Sequence, residues 1–246
     1  MGIPSRPFFL ILNNKCSKGG EKLELSERLR IVADFVTQKR VADIGTDHAY
    51  VPIYLHKKGI AQKIIACDVK KKPLEKAQQN IMLHHAAVET RLGNGLQPLQ
   101  PYEVDTVILS GMGGMLMIEL LEQSRKVTNS LKELVLCPHL DVPAVRKYLH
   151  QIGYCIAEEK MIQESNIFYT ILRAEKGKEI YNKTEYLFGK KLLEKKDSVL
   201  KQFLCKEKER LQKIEKQLKN TEKAQQRLHE IVEQKKWIEE AEQWYY

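Results

Sequence analysis

The chain has 246 residues, of which 43% are apolar and 30% charged, a balance that supports a sizeable core and excludes a membrane-embedded or wholly disordered protein. Lys and Arg number 41 against 32 Asp and Glu, and the net charge of +9 favours a polyanionic partner such as a nucleic acid. The cysteines, Cys16, Cys67, Cys137, Cys155 and Cys205, are scattered, with no CxxC pair and no His at zinc spacing; reduced thiols, a cytoplasmic location and no metal are expected.

Within residues 1–20 the apolar run from Phe8 to Leu12 is shorter than the roughly 7 to 15 residues of a secretory core, so the segment reads as a disordered leader without an export signal. No run approaches the roughly 20 apolar residues of a spanning helix, and no membrane partner is expected. Leu23, Leu25, Leu29, Val32 and Val36 recur at helical spacing and predict an amphipathic helix over 23–36. Strand-like runs then alternate with helical patterns: strand 40–44 and a helix near 51–58, strand 63–67 and helix 73–84, and a short strand 90–92. The beat continues through strand 106–109 and helix 115–123, then strand 133–137 and helix 142–151. Continuous apolar strands such as Val107-Ile108-Leu109 suit a parallel sheet covered on both faces, and Pro73 and Pro143 fall near helix starts, where a missing N–H costs nothing.

After Gly153, extended segments over 154–162 and 167–174 flank Glu164-Ser165-Asn166 and predict a hairpin that closes the sheet. An α/β alternation ending in an antiparallel pair is the arrangement of the Rossmann-like class I methyltransferase fold, with its seven-stranded, mostly parallel sheet. The pattern alone equally permits other doubly wound proteins. From Tyr181 the composition turns to Lys, Glu, Gln and Leu, and long helices are expected. Placing Leu204, Leu211, Leu218 and Val232 at heptad a positions puts Leu200, Ile214 and Leu228 at d, with Thr221 and Gln225 as polar interruptions. Asn220-Thr221 can cap a new helix, so the segment reads as an antiparallel coiled-coil hairpin. The chain is thus divided into the leader, an α/β domain over 21–176 and a helical hairpin domain over 177–246. Residues 176–246 carry 18 Lys and Arg against 13 Asp and Glu, which fits a solvated helix surface and a nucleic-acid contact surface equally well.

The most informative stretch is ADIGTDHAY at 42–50, where the first strand turns into its helix. A pyrophosphate-binding turn needs GxGxxG, but here only Gly45 is present and Asp43 and Asp47 repel phosphate. Two anions suit a cationic ligand such as S-adenosylmethionine, which carries an ammonium and a sulfonium; an ordinary acidic turn fits the stretch as well. Asp68, followed by Val69, ends the second strand 25 residues after Asp43, near the roughly 20-residue interval of an acid that receives ribose hydroxyls; an Asp that simply caps the next helix fits the position as well. Asn94, in Leu92-Gly93-Asn94-Gly95, can pair with an adenine edge or simply form a turn. Ser110-Gly111-Met112-Gly113-Gly114 leaves room for a ligand close to the backbone and lacks the Lys-Ser/Thr ending of a P-loop. His139, in Cys137-Pro138-His139, lies at the same sheet edge, as a substrate contact or an exposed side chain.

Together, LSERL at 25–29, ADIGTDHAY at 42–50, Asp68, the Gly93 loop and SGMGG at 110–114 resemble the bacterial tRNA (adenine(22)-N(1))-methyltransferases, over about residues 21–243. The resemblance implies a class I fold with a C-terminal coiled coil, S-adenosyl-L-methionine as cofactor and tRNA as substrate. It places the cofactor against Asp43, Gly45, Asp68, Gly95, Gly111, Met112 and Gly113, with His48, Val69, Asn94 and Ser110 completing the set. It places Asp47, His48 and Tyr50 beside the transferred methyl. Two positions depart from the family pattern, Asn94 where Asp is usual and Cys137-Pro138-His139 where Gln-Pro-Asn is usual. Neutral Asn94 weakens a charge-assisted bond to the adenine amino group.

Adenine N1 already carries a lone pair, so positioning and electrostatics are the main catalytic tasks. Asp47 is the first choice to stabilise the cationic product, with His48 orienting it or binding the methionine carboxylate, and Tyr50 stacking on the target base. Arg28, Arg91, Arg146, Lys147 and the Lys-rich hairpin are candidate phosphate contacts, and His139 a candidate substrate contact. The sequence also leaves open a methyltransferase for protein or DNA and a non-catalytic coiled-coil interaction protein with a vestigial cofactor fold. Oligomeric state is open, leaning to a monomer.

Overall fold

A computed structural model describes residues 23–218 and 225–246. The expected leader over 1–20 and the Asn220-Thr221 cap lie outside the described residues. Seven strands, β1 (Arg40–Ile44), β2 (Lys63–Asp68), β3 (Glu89–Leu92), β4 (Thr106–Met112), β5 (Glu133–Pro138), β6 (Tyr154–Glu164) and β7 (Ile167–Lys176), form one sheet in the order β3-β2-β1-β4-β5-β7-β6. The first five are parallel, and β7 runs antiparallel to both β5 and β6. This is the Rossmann-like class I methyltransferase arrangement expected from the sequence. The strand order reverses between β1 and β4, which puts the ligand crevice at their carboxyl ends.

Period-two alternation along the strands builds two apolar layers at once. Val41, Ile64, Ile108 and Val135 face α1 (Glu27–Asp34) and α2 (Tyr50–Lys57), while Ala66 on the same face packs with Ala77 and Ile81 of α3 (Lys71–Leu83). Ala42, Ile65, Val107 and Leu134 face the opposite layer, formed by α4 (Gly114–Gln123), α5 (Arg125–Ser130) and α6 (Val142–Gln151). The first helix is shorter than its periodicity suggests, because Ser26 caps it by accepting from the Leu29 amide. The six-residue α5 has no counterpart in the expected elements; it is too short for a periodic pattern to register. The β6–β7 turn, Ser165-Asn166, has φ of 50° and 64°, the paired left-handed conformation of a two-residue hairpin.

Beyond the sheet come α7 (Lys183–Phe188), α8 (Lys190–Glu194), α9 (Ser198–Leu218) and α10 (Gln225–Glu242). Lys208 pairs with Glu242 at 2.6 Å and Glu215 with Lys235 at 3.1 Å, so α9 and α10 run antiparallel. Leu200, Leu204, Leu211, Ile231, Ile238 and Ala241 form their buried seam, which continues onto Met161 of β6. Val232, expected at an a position, is instead 55% exposed. The reversal between α9 and α10 breaks the heptad phase, and the buried positions of α10 fall one residue earlier, at Ile231 and Ile238. No helix among the described residues is long and apolar enough to cross a membrane.

Candidate active site

The carboxyl ends of β1, β2, β4 and β5 converge on one crevice. Asp43, at the end of β1, is buried, and its Oδ2 accepts the Thr46 hydroxyl at 2.7 Å. Burial pushes the Asp43 carboxyl up to about 6, with Thr46 opposing and Asp68 adding to the shift. Gly45 turns the chain with φ +76°, and its N–H and that of Thr46 both donate to the Cys67 carbonyl, at 2.9 and 3.0 Å, which ties the loop to β2. Asp68 closes β2; its Oδ1 accepts from Lys70 N–H at 2.8 Å and its Oδ2 from Asp47 N–H at 3.4 Å. A carboxylate has about four lone-pair sites, so two remain for other donors. Val69 and Leu92, 58% and 56% exposed, stand next to Asp68 and to the Gly93 turn as bare apolar walls. Asn94 is exposed in that turn, whose Gly93 N–H donates to the Asp68 carbonyl at 2.9 Å.

In this turn Asp47 (φ 46°) and Ala49 (φ 57°), neither of them glycine, hold the left-handed conformation. Two such non-glycine residues in three positions store strain that the surrounding contacts must offset. The strain presents the Asp47 carboxylate outward, 3.6 Å from His48 Nε2, while the His48 ring stacks on Tyr50 with centroids 5.2 Å apart and planes 10° apart. The Asn80 amide donates to the His48 carbonyl at 2.9 Å and fixes the loop to α3.

On the other side of the crevice, β4 kinks between Ser110 and Met112, with Gly111 at φ +81°, and Gly113 then leads into α4. His139 N–H donates to the Met112 carbonyl at 3.0 Å, joining the ends of β4 and β5. The imidazole of His139 is pushed down by burial and by the nearby Arg28 charge. Arg28 reaches in from α1: its Nη1 donates to Ser110 Oγ at 3.1 Å and its guanidinium lies 5.1 Å from the Tyr169 ring centroid. Tyr169, on β7, also meets His139 edge-on at 5.6 Å. Thr46, Leu92 and Tyr169 are members of the site that sequence reasoning missed. Thr46 lay within the quoted loop, whereas Tyr169 joins only through the strand order.

Two expected phosphate contacts are corrected. Arg91 on β3 is committed to Glu89 and Glu103, both at 2.7 Å, and to the Pro98 carbonyl at 2.9 Å. Arg146 is 1% exposed and pairs with the equally buried Glu159 at 2.7 Å. Neither has a guanidinium to offer to a polyanion. Lys147, the next residue, is exposed.

A family model described as a methyltransferase domain matches residues 25–172. The tRNA (adenine(22)-N(1))-methyltransferase of Bacillus subtilis is 28% identical, with the match covering 89% of this chain and 97% of the relative. The crystal structure of the B. subtilis m1A22 tRNA methyltransferase TrmK superposes with a TM-score of 0.80 at 29% identity, over 89% of this chain and 99% of that one. Streptococcus pneumoniae Sp1610, solved in complex with S-adenosyl-L-methionine, is 30% identical with a TM-score of 0.80 over the same shares. The chain belongs to the tRNA (adenine(22)-N(1))-methyltransferase family. Within this methyltransferase, Asp43 and Asp68 end the adjacent strands β1 and β2, Gly45, Gly95 and Gly111 hold positive φ in the loops at the strand ends, and Asp47, His48 and Tyr50 cluster just beyond β1.

Proposed function

We propose that this chain transfers the methyl group of S-adenosyl-L-methionine to N1 of an adenosine in tRNA, the adenosine at position 22 as in the B. subtilis relative. The observation that carries this reading is the pairing of carboxylates Asp43 and Asp68 at adjacent strand ends with the single-glycine turn at Gly45, a crevice that favours a cation and disfavours a pyrophosphate. The residues fit the cofactor: the open lone pairs of Asp68 suit ribose hydroxyls, Val69 and Leu92 suit the faces of an adenine, and Asp43 suits the ammonium end. Gly45, Gly111 and Gly113 allow close approach of the backbone, Gly95 lies in the same lining but its missing side chain makes room for Leu120 of α4, and His48, Asn94, Ser110 and Met112 complete the set.

When bound, the cofactor supplies an electrophilic methyl on sulfonium. The protein's own task is to hold the N1 lone pair in line with it. Tyr50, already stacked on His48, extends that platform to the target base. Asp47 places a negative charge where the methylated adenine becomes cationic, and His48 orients it. Arg28, anchored on Ser110 and Tyr169, also lies 3.8 Å from Glu164, so the positive charge met by the entering strand comes mainly from Lys147 and the hairpin's lysines. Residues 177–246 act as a helical domain that sets the docking surface. A tRNA substrate and free thiols at Cys67, Cys137, Cys155 and Cys205 fit a cytoplasmic enzyme.

The test is transfer of labelled methyl from S-adenosyl-L-methionine to unmodified tRNA, followed by nucleoside mapping. One 1-methyladenosine per tRNA, at position 22, is the expected result. Label in protein or DNA alone, or no heat on titration with the cofactor, overturns the reading.

A further inference from the structure

The chain just beyond the carboxyl ends of β4 and β5 carries exposed hydrocarbon. Met115 and Leu116, on the first turn of α4, are 57% and 45% exposed, and Leu140, just past β5, is 68% exposed. The inward face of α4 is supplied by Met117, Leu120 and Leu121, so Met115 and Leu116 are surplus to the core. The two pieces are joined at the backbone. Gly114 N–H donates to the Leu140 carbonyl at 3.1 Å, and a Cβ on Gly114 would stand 2.6 Å from that same oxygen. Gly114 therefore permits the close approach that brings Met115 and Leu140 to one rim. That rim begins immediately beyond Gly113 and His139, the residues where β4 and β5 are stitched together by the bond from His139 N–H to the Met112 carbonyl.

The occupant follows from the chemistry of the target atom. Adenine N1 lies on the base-pairing edge, so it is available for methylation only when the base has left its partner. A separated base leaves a gap in the stack, and proteins that separate bases fill such gaps with apolar wedges such as Leu, Met or Ile. An exposed apolar ridge on the rim of the methyl-transfer site has the right composition and place for that role. We propose that Met115, Leu116 and Leu140 form a wedge that enters the tRNA stack and holds the target adenosine unpaired. This rests on the tRNA methyltransferase reading above. The three are positioning residues, acting on the stack beside the target.

The test compares two tRNA transcripts that differ only in the nucleotide opposite the target adenosine, which is either its pairing partner or an abasic residue. The double variant Met115→Ser, Leu140→Ser changes exposed side chains, and its thermal melting point serves as the folding control. The expected result is a fall in kcat/KM at least tenfold larger on the paired transcript than on the abasic one. Met115→Leu with Leu140→Met, which keeps the ridge apolar, should restore most of the loss. A second readout needs no chemistry: 2-aminopurine at the target position should brighten on binding the native protein, and brighten much less at saturating double variant. Equal losses on both transcripts, or equal brightening by both proteins, overturns the wedge. Failure of the native protein to methylate either transcript overturns the underlying reading instead, so the two failures are distinguishable.

Discussion

Arg146 on α6 and Glu159 on β6 form an ion pair of 2.7 Å between side chains with 1% and 0% exposure, and the same guanidinium donates to the carbonyls of Tyr186 and Leu187 on α7. Glu159 in turn accepts from the Lys191 amide on α8 at 3.2 Å. The pair is thus a rivet between the sheet and the C-terminal helices. Gly189, between α7 and α8, is required there, because a Cβ would stand 2.6 Å from Glu159 Oε2 and 2.7 Å from Arg146 Nη2, at a φ of +94°.

Removing one partner leaves the other charge buried without compensation, which costs about 3–5 kcal/mol. Arg146→Met and Glu159→Gln should each lower the melting temperature by roughly 6–20 °C, whereas Arg146→Met with Glu159→Leu should recover part of the loss. Calorimetric melting of the three variants checks this. A normal melting point combined with weakened tRNA binding in Arg146→Met would return Arg146 to the surface role that the sequence suggested.

Asp43 gives a pH dependence with a definite sign. Its folded pKa of about 6 lies above the ordinary carboxylate value, because burial disfavours the charge. For the ligand-free protein, the stability linked to this group is fully present below about pH 4 and is lost as pH rises through about 6. Binding a cationic cofactor has the opposite sign, since it needs the anion. Affinity for S-adenosyl-L-methionine should hold steady above about pH 7 and fall as pH drops through 6, by up to tenfold per unit. Titration calorimetry from pH 5 to 8 checks it, and Asp43→Asn should bind weakly with no step near 6.

What the sequence could and could not reveal follows from the range of each interaction. Val107-Ile108-Leu109 announced a strand buried on both faces because its pattern is local, and the hairpin was legible because only Glu164-Ser165-Asn166 separates two extended segments. The Asp43, Gly45 and Asp68 arrangement was legible because a strand end and the next strand end are fixed by topology alone. Arg146 was misread because its partner lies on another element. It adjoins the Val145-Tyr148-Leu149 stripe of α6, and that position on a buried face was the available signal. Arg91 was misread for the same reason, as Glu103 reaches it across the Gly93 turn. Val232 failed because a heptad phase does not survive a reversal of direction.

The glycines separate backbone demand from ligand clearance. Gly45 holds φ +76°, and a Cβ there would stand 3.1 Å from Met112 Cε, a flexible side-chain end. Gly45→Ala therefore carries mainly the left-handed penalty of about 1–2 kcal/mol, a fall of a few degrees in melting temperature. At Gly113 φ is −69° and nothing stands within 4 Å of a Cβ. Gly113→Ala should lower the melting temperature by no more than a few degrees, the cost of Ala at the N-cap of α4, so a larger loss of cofactor affinity in it measures crowding against the bound cofactor. Paired melting and calorimetric titrations of the two variants check both expectations.

Asp47 is where the chemistry and the strained loop meet. Its side chain is 60% exposed and held 3.6 Å from His48 Nε2, on a backbone at φ 46° that Asp adopts more readily than most residues. Its amide, not its carboxylate, is what engages Asp68. Asp47→Ala should therefore retain cofactor binding within about threefold while methyl transfer to tRNA falls by a factor on the order of 10² to 10³, the size of losing one preorganised electrostatic group. Asp47→Asn keeps the shape and the left-handed tolerance but lacks the charge. If the carboxylate stabilises the cationic product, Asn should be nearly as slow as Ala; if it only shapes the loop, Asn should be nearly as fast as the native enzyme. Single-turnover transfer rates at saturating cofactor, measured beside cofactor affinity for the same proteins, decide between them.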